Sequence, residues 1–275
     1  MRTVIIMLAG LVLAASAAAG ELAVGWQALA DYHAVQALEV FDRHLADADP
    51  AVARAARFGR GVALLDRQPV TSGQVEAARQ LFTALADSGT DDSAQGARFF
   101  LGRIAQHHLA QPDAAEAARQ FRQLIAAHEA SVWAQSALGR LALLEIYALN
   151  PQAPPSGRLA NAGKLLAHAR TPAAQSDVHY AIADAIFFYR LPAAGALPHL
   201  LAVEKLGRID WTARADVLVQ IAELSRLAGD RKQAARFYRT FLEENPRDLR
   251  HYIVAERLAE VEKPAPREGG WCIAD

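Results

Sequence analysis

The sequence predicts an all-α chain in which antiparallel helix pairs stack one on the next, and three observations carry that expectation. Of the 275 residues, 52% are apolar but only 7% aromatic. Much of the balance is alanine, the best helix former and a residue that lets helices approach closely. Beyond Gly20 the chain reads as amphipathic stretches of about a dozen to twenty residues, with no run of alternating apolar and polar positions to mark a strand. A small residue in an apolar setting recurs at spacings of 36, 41, 37, 44, 39 and 37 residues, which marks a repeat. With 21% of residues charged and a formal net charge of -1, the chain is globular rather than disordered, and nothing overall draws it to nucleic acid or anionic lipid. One cysteine excludes an intramolecular disulfide framework and any multi-cysteine zinc site.

The first element is an export signal. Met1-Arg2 is followed by an uncharged apolar stretch from Val4 to Leu13, which grades into small residues up to Gly20 before the first acid, Glu21. That order is a positive end, a short apolar stretch and a small-residue cleavage site. Residues 1–19 are read as the signal, with cleavage after Ala17 or Ala19. An uncleaved anchor is disfavoured, because the segment from Val4 to Ala19 would span only about 24 Å as a helix, less than a bilayer core. No cysteine lies at the boundary, so a bacterial lipoprotein anchor is excluded. The mature chain is expected in the periplasm or outside the cell with no stable membrane span, and losing Arg2 moves its net charge only to -2.

The helix pairs then follow in order. Val24-Gly25, and Ala37 with Phe41, mark the first; Gly61, and Ala78 with Phe82, the second; Leu101-Gly102, and Ala117 with Phe121, the third. Leu138-Gly139 opens the fourth and Ile182-Ala183 the fifth, whose second helix is interrupted by Pro192 and Pro198. Ile221-Ala222, and Ala234 with Tyr238, form the sixth, and Leu258-Ala259 lies in a last helix from Arg250 to Lys263. Breaks at Ala46 to Pro50, Arg67 to Gly73, Ser88 to Asp92, Gln111 to Asp113, Asn150 to Gly157, Thr171-Pro172, Leu191-Pro192, Gly207 to Asp210, Gly229-Asp230 and Asn245-Pro246 separate these helices. In the sixth unit the chemistry is legible: Ala222 and Ala234 allow close approach, Gly229 permits a tight turn, Tyr238 fills space toward the next pair, and Pro246 closes the second helix.

The spacing of these residues between Leu218 and Pro246 resembles the tetratricopeptide repeat. That resemblance implies a right-handed α-solenoid of about six pairs plus a capping helix, one domain over residues 20–263, and an irregular tail over 264–275. It also implies that the first helices line a concave side holding a peptide or partner helix. The stretches Ala117 to Leu138 and Arg236 to Leu258 resemble exported bacterial members that serve outer-membrane assembly and envelope coordination, although the missing lipidation cysteine argues against the assembly lipoproteins themselves. The lysines and asparagines with which some members clamp chaperone C-termini are not found at the groove positions here, so that activity is not carried over.

On this reading the groove is lined by Phe99, Arg103 and Gln106 in the third unit, Arg140 in the fourth, Tyr180, Asp184 and Phe187 in the fifth, and Glu223 in the sixth. Such a groove is basic at one end and acidic at the other, with aromatic contacts, and suits a polypeptide better than a small metabolite. The competing reading is solvated charge and packing aromatics. Nine histidines are scattered, with no His-Glu-x-x-His and no pair four apart, so they are read as ordinary surface or capping residues, and no metal or cofactor is expected. No Gly-x-Ser-x-Gly elbow or phosphate loop is present. The expected role is a non-catalytic protein-protein interaction scaffold of the cell envelope. The alternatives are an accessory subunit or helical enzyme of the same compartment, and a self-assembling scaffold. In the tail, Trp271 stands beside Cys272, which an oxidising compartment would let form an intermolecular disulfide.

Overall fold

The computed structural model describes residues 17–209 and 211–263. Residues 1–16 of the expected signal and the tail with Trp271 and Cys272 lie outside the described residues. Among the described residues the chain is helical throughout, with thirteen α-helices and no strand. They are α1 (Ala17–Ala30), α2 (Ala34–Arg43), α3 (Pro50–Asp66), α4 (Ser72–Asp87), α5 (Asp92–His107), α6 (Ala114–His128), α7 (Val132–Tyr147), α8 (Pro155–Lys164), α9 (Pro172–Phe188), α10 (Leu197–Leu206), α11 (Trp211–Leu227), α12 (Arg231–Glu244) and α13 (His251–Glu262). That is the number required by six pairs and a last helix. No helix is long and apolar enough to cross a membrane among the described residues.

Local chemistry starts most of these helices. Asp49, Asp91, Asp113, Ser131, Thr171 and Asp230 each accept a hydrogen bond from a backbone N–H of the first turn, and Thr71 and Gln74 form a reciprocal capping box. Pro50 and Pro172 sit in the first turn, where no intrahelical donor is lost. Two breaks carry no proline or glycine and were not anticipated. At the first, Tyr32 takes φ 64° between α1 and α2. At the second, the Ser131 hydroxyl alone starts α7 after the turn at Glu129-Ala130.

The described residues divide into two compact units, 17–154 with 167–170, and 155–166 with 171–263. The expected fourth pair is thereby split, α7 belonging to the first unit and α8 to the second. The change falls at the Pro-rich segment Asn150 to Pro155.

In the first unit successive helices pack from α1 to α7, and the first helix of each pair also touches the next, α1 on α3, α3 on α5 and α5 on α7. Glycine lets the partners come this close. An added Cβ would lie 2.9 Å from the Phe41 ring at Gly25, 2.6 Å from Phe82 at Gly61 and 2.5 Å from Phe121 at Gly102. The same glycine–phenylalanine contact thus recurs in three consecutive pairs, with Ala37, Ala78 and Ala117 fully buried beside it. Edge-to-face and tilted ring contacts continue from Trp26 through Phe58 and Phe100 to Trp133, each worth about 0.5–1.5 kcal/mol beyond its area. Trp133 completes itself by donating its indole N–H to Asp92 at 2.8 Å.

In the second unit α8 packs on α9, and packing then continues consecutively to α13. Its core is Val178, Leu200, Val203, Leu218, Ile221, Phe237, Tyr238 and Phe241, all nearly inaccessible. The interruption at Pro192 and Pro198 is real: a short 3-10 segment, Ala193–Ala196, precedes the ten-residue α10.

Candidate functional site

The eight expected groove residues are distributed over both units and take different roles. Phe99 is 3% exposed and packs on Phe100, Phe121 and Trp133. It is a core residue, not a partner contact, because its place on α5 faces the neighbouring first helix instead of solvent.

Arg103, Gln106 and Arg140 do come together in the first unit. Arg103 and Gln106 are three apart on α5, and Arg140 lies on α7, which packs against it. All three are partly exposed. Burial and the positive charge of Arg140 lower the Arg103 guanidinium to about 10, so it stays charged at neutral pH. His107 and His108 on the same helix are lowered by burial and then by Arg103, which places four basic groups in one neighbourhood. The Arg103 Nε and the Gln106 Oε1 are buried without a hydrogen-bond partner.

In the second unit Tyr180, Asp184 and Phe187 fall on one face of α9 at helical spacing, Tyr180 being 38% exposed and Phe187 half-buried. Burial and the carboxylates of Asp184 and Asp216 push the Tyr180 phenol up. Glu223 is engaged within the fold. It accepts the Tyr238 hydroxyl at 2.5 Å and Arg226 at 2.8 Å, with Arg257 at 3.8 Å. Burial raises its pKa, but those hydrogen bonds and charges outweigh it and hold the carboxyl below its usual range. Glu223 therefore ties α11 to α12 and α13.

Two associations escaped the sequence. His179 on α9 and His199 on α10 meet with their Nδ1 atoms 2.9 Å apart, although twenty residues separate them, because the 3-10 turn folds α10 back onto α9. Burial lowers both. Gln135 on α7 donates to the carbonyls of Glu129 and His168 and accepts the N–H of Arg170, which holds residues 167–170 in the first unit. Neither spacing is a recognisable motif. An open depression of about 710 Å³ lies at the α1–α2 turn among Tyr32, His33, Val35, Glu39, Asp66 and Arg67, and no expected groove residue lines it. Among the described residues no group of three or more His, Cys, Asp or Glu is placed to hold a metal ion. No protein-family model matches the chain, and no curated protein sequence matches it.

Proposed function

We propose that the chain is an exported, non-catalytic scaffold of tetratricopeptide-like helix pairs that binds another polypeptide through its first helices, in cell-envelope assembly or maintenance. What supports the reading is the glycine–phenylalanine contact repeated within three consecutive pairs, together with the contact of each first helix with the next, α5 with Arg103 against α7 with Arg140 among them. A rigid row of this kind presents groups at fixed spacing and lowers the ordering cost of binding an extended or helical segment. The test is cross-linking and capture of envelope proteins by the mature chain and by the Arg103→Glu/Arg140→Glu variant, after both give the same helical circular dichroism and melting. A partner captured by the wild type and lost from the variant is the expected result. Equal retention places the binding face elsewhere, and no partner at all removes the polypeptide reading.

A further inference from the structure

Several guanidinium groups of the first unit are visibly employed within the fold. Arg54 on α3 holds Asp91 at 2.6 and 3.0 Å and also reaches Ser88 and the Leu85 carbonyl. Arg98 on α5 donates to Gln120, Gln123 and the Ala86 carbonyl. Arg60 pairs with Asp42 and Arg122 with Glu145. Arg103, one turn beyond Arg98, forms no salt bridge with any acidic side chain among the described residues, and its Nε is buried without an acceptor. The charge beside it is of its own sign, that of Arg140, and the neighbouring His107 and His108, lowered by burial, bring no negative charge. A partly buried cation without a counterion is costly to the fold, and a second cation beside it adds to a positive potential that draws an anion.

Gln106 narrows what the anion carries. Its Oε1 is buried and also lacks a partner, on the same face of α5 as Arg103. The neighbourhood therefore asks for an anionic acceptor and an N–H donor on one helix face. An acidic residue inside a polypeptide supplies both, the carboxylate on its side chain and the donor on its backbone. The partial exposure of Arg103, Gln106 and Arg140, and the exposure of His107, leave the site open to solvent. We infer that Arg103, supported by Arg140 and Gln106, holds the side-chain carboxylate of an aspartate or glutamate from the bound polypeptide. This assignment rests on the proposed polypeptide-binding role and specifies the chemistry of the partner.

The test uses the full mature chain and N-acetyl-tetraglutamate amide, which carries side-chain carboxylates but no terminal one. N-acetyl-tetraglutamine amide and free glutarate serve as comparisons, with binding followed by calorimetry at low, matched ionic strength. The acidic peptide should bind the wild type, weaken at least tenfold in Arg103→Gln, and weaken to an intermediate degree in Arg103→Lys, which keeps the charge but loses the planar fork. Arg98→Gln, whose guanidinium is already satisfied within the fold, should bind like the wild type. The melting temperature of Arg103→Gln should not fall, because the variant removes an unpartnered buried charge. Should it unfold instead, the Arg103→Lys affinity decides. Equal binding by Arg103→Gln, binding of the glutamine peptide, or no binding of the acidic peptide overturns the assignment. Glutarate binding as tightly as the peptide would replace the polypeptide with a small acid. A captured envelope partner that Arg103→Gln retains would leave the scaffold role standing and remove the carboxylate site. Arg103-dependent binding of the acidic peptide without any captured partner would do the reverse.

Discussion

A methyl group added to Gly61 or Gly102 would stand 2.6 or 2.5 Å from a ring carbon of Phe82 or Phe121. Both rings are fully buried and have no room to retreat. Two effects oppose each other. Alanine is better than glycine inside a helix by about 1 kcal/mol, whereas overpacking a close-fitted core costs about 1–3 kcal/mol. The second should win, so Gly61→Ala and Gly102→Ala are expected to lower the unfolding free energy in urea by about 1 kcal/mol or more. Gly73, near the start of α4, meets nothing within 4 Å, and Gly73→Ala should instead be neutral or stabilising by up to about 1 kcal/mol. A stabilised Gly102→Ala would mean that the ring moves and that the close approach is not a constraint. These glycines were legible in the sequence as recurring small residues, and so were the phenylalanines that meet them. The orphaned Nε of Arg103 was not, because satisfaction depends on which acids lie across from it in space.

Among the elements, α10 is one of the three shortest α-helices of the described residues. Ten residues after an irregular turn do not make a stable isolated helix. Leu200 and Val203, each 1% exposed, anchor it, and the His179–His199 contact joins it to α9. With both rings neutral one Nδ1 donates and the other accepts; a second proton leaves two donors facing each other. Burial lowers both histidines from the usual 6.5, so the folded state refuses protons that the unfolded chain accepts. Their contribution is therefore full above about pH 6.5 and declines as pH falls below it. The melting temperature should drop between pH 7.5 and 5.5 at constant ionic strength, and the drop should be smaller in His179→Gln/His199→Gln. An unchanged slope in that variant would show that the pair does not couple protonation to stability. The sequence placed the interruption of this helix correctly through Pro192 and Pro198, but the histidine contact needed the path of the turn.

On the scale of the whole chain, the two compact units meet in sequence at Asn150 to Pro155, where residues 150, 151, 152 and 154 are exposed. Few backbone hydrogen bonds hold that stretch, the Ala153 N–H to the Asn150 carbonyl being one. Segments of this kind open and are cut before packed helices. Brief digestion with a non-specific protease should give an early cleavage within residues 150–154, located by mass spectrometry, while the bulk of the helical signal persists. A first cut inside α5 or α7, whose described residues from Asp92 to Gln106 and from Val132 to Tyr147 are never fully exposed, would contradict the division.

Helix number, helix starts and the glycine–aromatic pairing follow from short-range signals, namely caps, breaks and the phase of small residues, and these can be read without coordinates. The fate of individual side chains does not follow from them. On helices such as α5 and α7, nearly every position is at least partly covered, so the 3.6-residue period no longer separates a solvent face from a core face. Phe99 and Arg103 share one such helix, yet Phe99 packs among rings while Arg103 keeps an unpaired charge. Glu223 on α11 likewise has Tyr238 and Arg226 within reach. Which of these groups remains for a partner is settled by neighbours brought from other helices, whose arrival depends on packing rather than on local order in the chain.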